Sequence, residues 1–130
     1  MVDLSSLNPK QQDAVLYNEG PMMILAGAGS GKTRTLVAKI QYLLDEIRLS
    51  PHQLLAVTFS NKAAREMRER VALEVEMDIG ALNITTFHSF CARVLRSEAT
   101  YIGLSRNFTI YDDSESLSLI KSIMGKRGIS

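Results

Sequence analysis

Ala26-Gly27-Ala28-Gly29-Ser30-Gly31-Lys32-Thr33 lies between a short apolar run, Met22-Met23-Ile24-Leu25, and a helical pattern, Leu36, Val37, Ile40, Leu43 and Leu44. That strand–loop–helix setting gives a glycine-rich segment ending in Gly-Lys-Thr its chemical meaning. Glycines let the backbone turn tightly and aim successive N–H groups at a polyphosphate, and the positive end of the following helix holds the same anion. Lys32 would reach the β- and γ-phosphates, and the Thr33 hydroxyl would ligate a magnesium ion, which makes these two the candidate catalytic residues. The usual signature opens on glycine; Ala26 stands at that place, the one farthest from the phosphates. The segment reads as a site for a nucleoside triphosphate with Mg2+.

Alternating helices and strands must position this loop. Asn8 is an N-cap with Pro9 at the first helical position, and a helix is expected to about Asn18, stopped by Asn18-Glu19-Gly20-Pro21. A first strand is expected over about Met22 to Ala26, then the loop and a helix from Lys32 to about Arg48, broken at Ser50-Pro51. Leu54 to Phe59 is a nearly continuous apolar run, which predicts a second strand covered on both faces. Ser60 or Asn61 caps a third helix carrying Ala63, Ala64, Met67 and Val71 at helical spacing. Its charges look like a solvated face, with Glu66 and Arg70 spaced to pair weakly.

A turn at Asp78-Ile79-Gly80 precedes a third strand, Leu82 to Thr86. A helix from Phe87 to about Ala99 follows, with Phe87, Phe90, Cys91, Val94 and Leu95 on one face, so that Cys91 reads as core. Phe108 to Tyr111 reads as a short extended piece. The last helix, marked by Leu117, Ile120 and Met124, is capped by Asp112-Asp113 and ends near Gly125. The alternation predicts an α/β fold, a parallel sheet flanked by helices, with ligand at the carboxyl ends of the strands.

Composition narrows the setting without naming the chemistry. The 130 residues are 45% hydrophobic, enough for one globular domain with a real core. No uninterrupted apolar stretch approaches the roughly 20 residues that span a bilayer, and Met1 to Ser6 lacks the form of a secretory signal. A single cysteine excludes an internal disulfide and fits a reducing cytosol. Net charge is +1, so bulk charge offers no argument for nucleic acid. No metal cluster, paired-carboxylate site or nucleophile–His–Asp set is legible in the sequence.

Four motifs in order resemble those of superfamily 1 DNA helicases of the UvrD/Rep/PcrA group, over Leu7 to about Met124. Leu7-Asn8-Pro9-Lys10-Gln11-Gln12 is similar to the group's adenine-reading motif, with Gln11 in the glutamine position. Ala26 to Arg34 matches its first helicase motif. Thr58-Phe59-Ser60-Asn61-Lys62-Ala63-Ala64-Arg65-Glu66-Met67 and Thr86-Phe87-His88-Ser89 resemble two motifs that meet DNA. The short motifs are weak singly; the ordered set is specific.

The resemblance implies that Gln11, Arg34 and Ala26 to Thr33 (Ala26, Gly27, Ala28, Gly29, Ser30, Gly31, Lys32, Thr33) hold ATP. A glutamine amide offers the donor and acceptor that the adenine edge needs, and a guanidinium can stack on the ring. Taken alone, both are also ordinary exposed polar residues. Thr58, Phe59, Asn61, Lys62, Thr86, His88 and Ser89 would meet single-stranded or partially duplex DNA. Phosphate contacts suit the polar ones, and base stacking suits Phe59 and His88. Phe59 reads equally as core, and His88 by itself as structural.

The resemblance further implies residues 1–111 as the early part of a RecA-like motor domain and 112–130 as a helix leading toward an accessory domain. The family's Asp-Glu hydrolytic motif and second motor domain are not in these residues, so the expected parent is the helicase and this stretch alone would be inactive. A cytoplasmic activity at the bacterial nucleoid, in repair or replication, goes with that family. Alternatives are a stand-alone nucleotide- or DNA-binding module, the start of a helicase–nuclease subunit, and an unrelated phosphate-loop kinase. The last leaves Thr-Phe-His-Ser unexplained.

Overall fold

The computed structural model describes residues 2–75 and 79–129. They fall into two compact units, Met1–Phe90 and Cys91–Ser130. In the first, helix α1 (Pro9–Leu16) opens on Asn8, whose side chain accepts from the Gln11 N–H at 3.0 Å while the Asn8 N–H donates to Gln11 Oε1 at 2.9 Å. This reciprocal cap satisfies two N–H groups that a helix start leaves unpaired. The helix stops short of Asn18, because the ammonium of Lys39 takes the carbonyls near its end. Lys39 Nζ donates to Val15 O at 2.8 Å, to Asn18 Oδ1 at 2.7 Å and to Tyr17 O. Burial holds the Lys39 ammonium below the ordinary lysine pKa.

Lys39 belongs to helix α2 (Lys32–Asp45), so one side chain fastens α1 to α2. Lys39→Met is expected to lower stability by about 1–2 kcal/mol, the scale of losing charge-assisted hydrogen bonds partly open to solvent. Urea denaturation of the two proteins measures it; coincident curves would mean that water caps α1 equally well. Helix α2 ends before Arg48, the expected terminus. Arg48 sits at φ 62, and the N–H groups of Ile47 and Leu49 turn back to Tyr42 and Leu43 carbonyls.

Strands β1 (Leu55–Thr58) and β2 (Asn83–Thr86) form a two-stranded parallel sheet, with helix α3 (Asn61–Glu74) between them in sequence. The register pairs Ala56 with Ile84 and Thr58 with Thr86. Ser60 is the N-cap of α3, its hydroxyl accepting from Ala63 N–H at 3.1 Å. The core joins Val37, Ile40 and Leu44 of α2 to Met67 and Val71 of α3, with Leu54, Ala56, Leu82 and Ile84 from the strands and their approaches. Helical residues three and four apart share a face, which is why this set buries together. Each such Leu, Ile or Val contributes about 1.5–3 kcal/mol of transfer free energy.

Three expectations are corrected here. Met22 to Ala26 is not a strand of the sheet: among the described residues nothing hydrogen-bonds to the backbone of 22–25. Its side chains still alternate, Met23 and Leu25 being 82% and 87% exposed and Met22 and Ile24 about half that. The residues have a strand's period without the neighbouring backbone that makes a strand. Nor is β1 covered on both faces, since Leu55 is half exposed while Ala56 is buried. Glu66 pairs with Lys62 at 3.9 Å rather than with Arg70. The expected turn at Asp78 lies outside the described residues; Ile79–Ala81 is a short 3-10 turn.

Helix α4 (Phe87–Ser97) runs from the first unit into the second. Cys91 is exposed rather than core, as are Phe87, Val94 and Leu95, so the apolar face of α4 is largely uncovered in these residues. In the second unit Ala99–Ile102 forms a 3-10 turn that closes at Gly103, and the Arg96 guanidinium lies 5.4 Å from the Phe108 ring centre. Phe108 to Tyr111 is irregular. Helix α5 (Asp113–Lys126) is capped by Asp112, which accepts from Glu115 N–H at 2.8 Å and from the Ser114 hydroxyl at 2.7 Å. Those bonds hold its carboxyl below the ordinary aspartate range. No helix among the described residues is long and apolar enough to cross a membrane.

Candidate nucleotide-binding site

The segment 26–33 wraps the N-terminus of α2. Gly29 and Gly31 adopt φ 73 and 82, the left-handed region that a Cβ disfavours. Gly31 is itself the N-cap of α2: its carbonyl accepts from Thr35 N–H at 2.9 Å and from Thr35 Oγ1 at 3.1 Å. Thr35 is buried, so it anchors the loop to the helix from below.

Above that anchor the loop closes on itself. The Lys32 ammonium donates to Ala26 O at 3.0 Å and to Gly27 O at 2.7 Å, and Ser30 Oγ donates to the same Gly27 carbonyl at 2.7 Å. An exposed ammonium on two neutral carbonyls can exchange them for phosphate oxygens, which bind it more strongly. A hollow of about 230 Å3 lies beside it, lined by Asn8, Lys10, Gln11, Ala14, Ile24, Leu25, Ala26, Ser30, Lys32 and Thr35.

Gln11 is held at both ends of its amide, by Asn8 N–H at Oε1 and by Ser30 O, which accepts from Nε2 at 3.0 Å. Thr33 is exposed in the first turn of α2. Among the described residues no group of three or more His, Cys, Asp or Glu side chains could hold a metal. A lone hydroxyl fits magnesium that arrives bound to phosphates and keeps several waters. Arg34 lines a different, smaller hollow of about 80 Å3 with Leu7, Gln41 and Glu74. The structure therefore brings Gln11, Ala26, Ser30 and Lys32 to one hollow and leaves Arg34 outside its lining.

The other candidates gather at the carboxyl ends of β1 and β2, which the parallel register sets side by side. Phe59 is 92% exposed, and Asn61, Lys62, His88 and Ser89 are exposed too. Phe59 is therefore not core. Thr58 and Thr86 are used locally: Thr58 Oγ1 donates to Ser60 O at 2.9 Å. Thr86 is buried and caps α4, accepting from Ser89 N–H at 3.2 Å and sharing a 2.9 Å hydroxyl contact with Ser89. Lys62 is engaged with Glu66.

Sequence reasoning missed two residues that hold these elements in place, Thr35 and Lys39, and the pairing of Asn8 with Gln11. Asn8 and Gln11 carry the spacing of a capping box, a readable signal that was split between a cap and a base reader. Thr35 and Lys39 left no such mark, since their partners are 4 and more than 20 residues away and all but Asn18 Oδ1 are backbone carbonyls.

The described residues make a mixed α/β arrangement: a small two-stranded parallel sheet with helices packed on it, and a glycine-rich loop at the N-terminus of α2. Residues 7–129 match the UvrD/REP helicase N-terminal domain, and the chain belongs to that family. It is 50% identical over 126 residues to the ATP-dependent DNA helicase PcrA of Staphylococcus aureus (strain Mu50 / ATCC 700699), covering 97% of this chain and 17% of that protein. The PcrA of Bacillus subtilis (strain 168) is 49% identical over the same length, and that of Staphylococcus epidermidis 48%. The chain thus spans about a sixth of these relatives, 17%.

Proposed function

We propose that these residues are the nucleotide-binding front of an ATP-dependent DNA helicase, a motor that moves on single-stranded DNA and opens duplexes. The observation that carries the reading is the loop 26–33, with Gly29 and Gly31 left-handed and Lys32 at the start of α2. ATP is the ligand that this loop and the Gln11 amide suit together. In the complex, Lys32 and Thr33 would act at the triphosphate, Thr33 by sharing the magnesium ion, and Arg34 would stack on adenine only by leaving the separate hollow that it lines here. Thr33 would help hold that ion, which would supply charge neutralisation at the triphosphate.

DNA is the proposed partner of the strand-end rim. Phe59, exposed at the end of β1, offers a stacking face, and Asn61, Lys62, His88 and Ser89 offer phosphate contacts. Thr58 and Thr86 hold that rim in shape through their own hydrogen bonds. We assign 1–111 to the motor domain and 112–130 to the approach to an accessory domain. Turnover in such a motor needs a further carboxylate for magnesium and a group to orient water.

The test is direct. The chain should bind a fluorescent ATP analogue in the presence of magnesium, weakly, and show no ATP hydrolysis stimulated by single-stranded DNA. Robust DNA-stimulated turnover would overturn the assignment of the hydrolytic groups to other parts of the helicase.

A further inference from the structure

Gln11 sits at a junction that base recognition alone does not require. Its Oε1 accepts from Asn8 N–H at 2.9 Å, and its Nε2 donates to the Ser30 carbonyl at 3.0 Å, 19 residues away. The next residue, Gly31, approaches so closely that a Cβ there would lie 2.9 Å from Nε2. Gly31 is also the left-handed N-cap of α2, locked from the other side by Thr35. The peptide between Ser30 and Gly31 is therefore clamped between α1 and α2, with Gln11 as the α1 jaw. A primary amide has two N–H donors and two lone pairs, so one of each remains after these contacts.

We propose that Gln11 is a positioning residue for the phosphate loop: through Ser30 O it holds the Ser30–Gly31 peptide in the form that receives phosphate. Its remaining donor and acceptor stay open to a purine edge, so base recognition and phosphate binding are coupled through one side chain. This rests on the nucleotide reading of the loop. Its consequence is specific: Gln11 matters for a ligand that has no base at all.

The experiment is calorimetric titration of inorganic tripolyphosphate with magnesium, and of ATP, into wild type, Gln11→Met and Lys32→Ala. Each is measured well below its own melting temperature. Gln11→Met keeps the side chain's length and loses both the donor to Ser30 and the acceptor that closes the α1 cap. It should bind tripolyphosphate roughly fivefold more weakly than wild type, the scale of one neutral hydrogen bond. The 15N shift of the Gly31 amide, which follows the Ser30 carbonyl, should move in the same variant.

Unchanged tripolyphosphate affinity in Gln11→Met, with ATP affinity reduced, would overturn the proposal and leave Gln11 a base reader only. Equal affinities of wild type and Lys32→Ala for both ligands would instead overturn the phosphate-loop reading beneath it. Should Gln11→Met fail to fold, Gln11→Glu keeps the acceptor that closes the α1 cap and loses the donor. It carries the same comparison at high ionic strength, where its added charge is screened.

Discussion

Lys32→Ala is expected to weaken binding of magnesium–ATP about a hundredfold while leaving the fold nearly as stable as before. The ammonium rests on Ala26 O at 3.0 Å and Gly27 O at 2.7 Å, and all three groups are open to solvent. Water replaces it there at little cost, so the stability change should stay under about 0.5 kcal/mol, as for ordinary surface substitutions. At the phosphates its removal is different. Charge-assisted hydrogen bonds contribute about 1.5–3 kcal/mol each, and a hundredfold in affinity corresponds to about 2.7 kcal/mol. Titration of a fluorescent ATP analogue against both proteins measures the affinity, and thermal melting measures the fold. Equal affinities would remove the reason for calling 26–33 a phosphate loop.

Gly31→Ala should damage stability and binding together. At φ 82 an alanine would carry a left-handed conformation that costs roughly 1–2 kcal/mol. Its Cβ would also stand 2.9 Å from Gln11 Nε2, so the glutamine must swing away and give up the Ser30 carbonyl. Strain and the lost contact together amount to about 2–3 kcal/mol. Denaturation should record that loss, and ATP affinity should fall at least tenfold, since in the proposed complex the same peptide would face the phosphates.

The two parts of this effect separate in a double-mutant cycle. In a Gln11→Ala background the clash is already gone, so Gly31→Ala should cost less there than in wild type. Strictly additive costs would show that the two residues do not meet. Gly27→Ala is the companion measurement on stability. Gly27 is not left-handed and a Cβ there meets nothing within 4 Å, so stability should hold or rise slightly.

The family was legible in the sequence because it is carried by ordered local motifs, residue types at fixed spacing. Helix starts were equally readable, since Asn8, Ser60 and Asp112 act on N–H groups two or three residues ahead. The spacing of Val37, Ile40, Leu44, Met67 and Val71 likewise announced the face that became core.

Tertiary structure alone decided the rest. Met22 to Ala26 has a strand's alternation, but a ladder needs another backbone alongside, and no local pattern supplies one. Cys91 lies on an apolar helical face, yet burial depends on what packs against that face, and it is exposed. Gln11 looked like a base reader or a surface residue; only the meeting of α1 with the loop gave it Ser30 as a partner. Lys39 carries no motif at all, and it fastens two helices because their ends happen to converge on its reach. Residue type and spacing determine which chemistry is available along the chain. Which groups share it is set by distance in space, which covalent order does not encode.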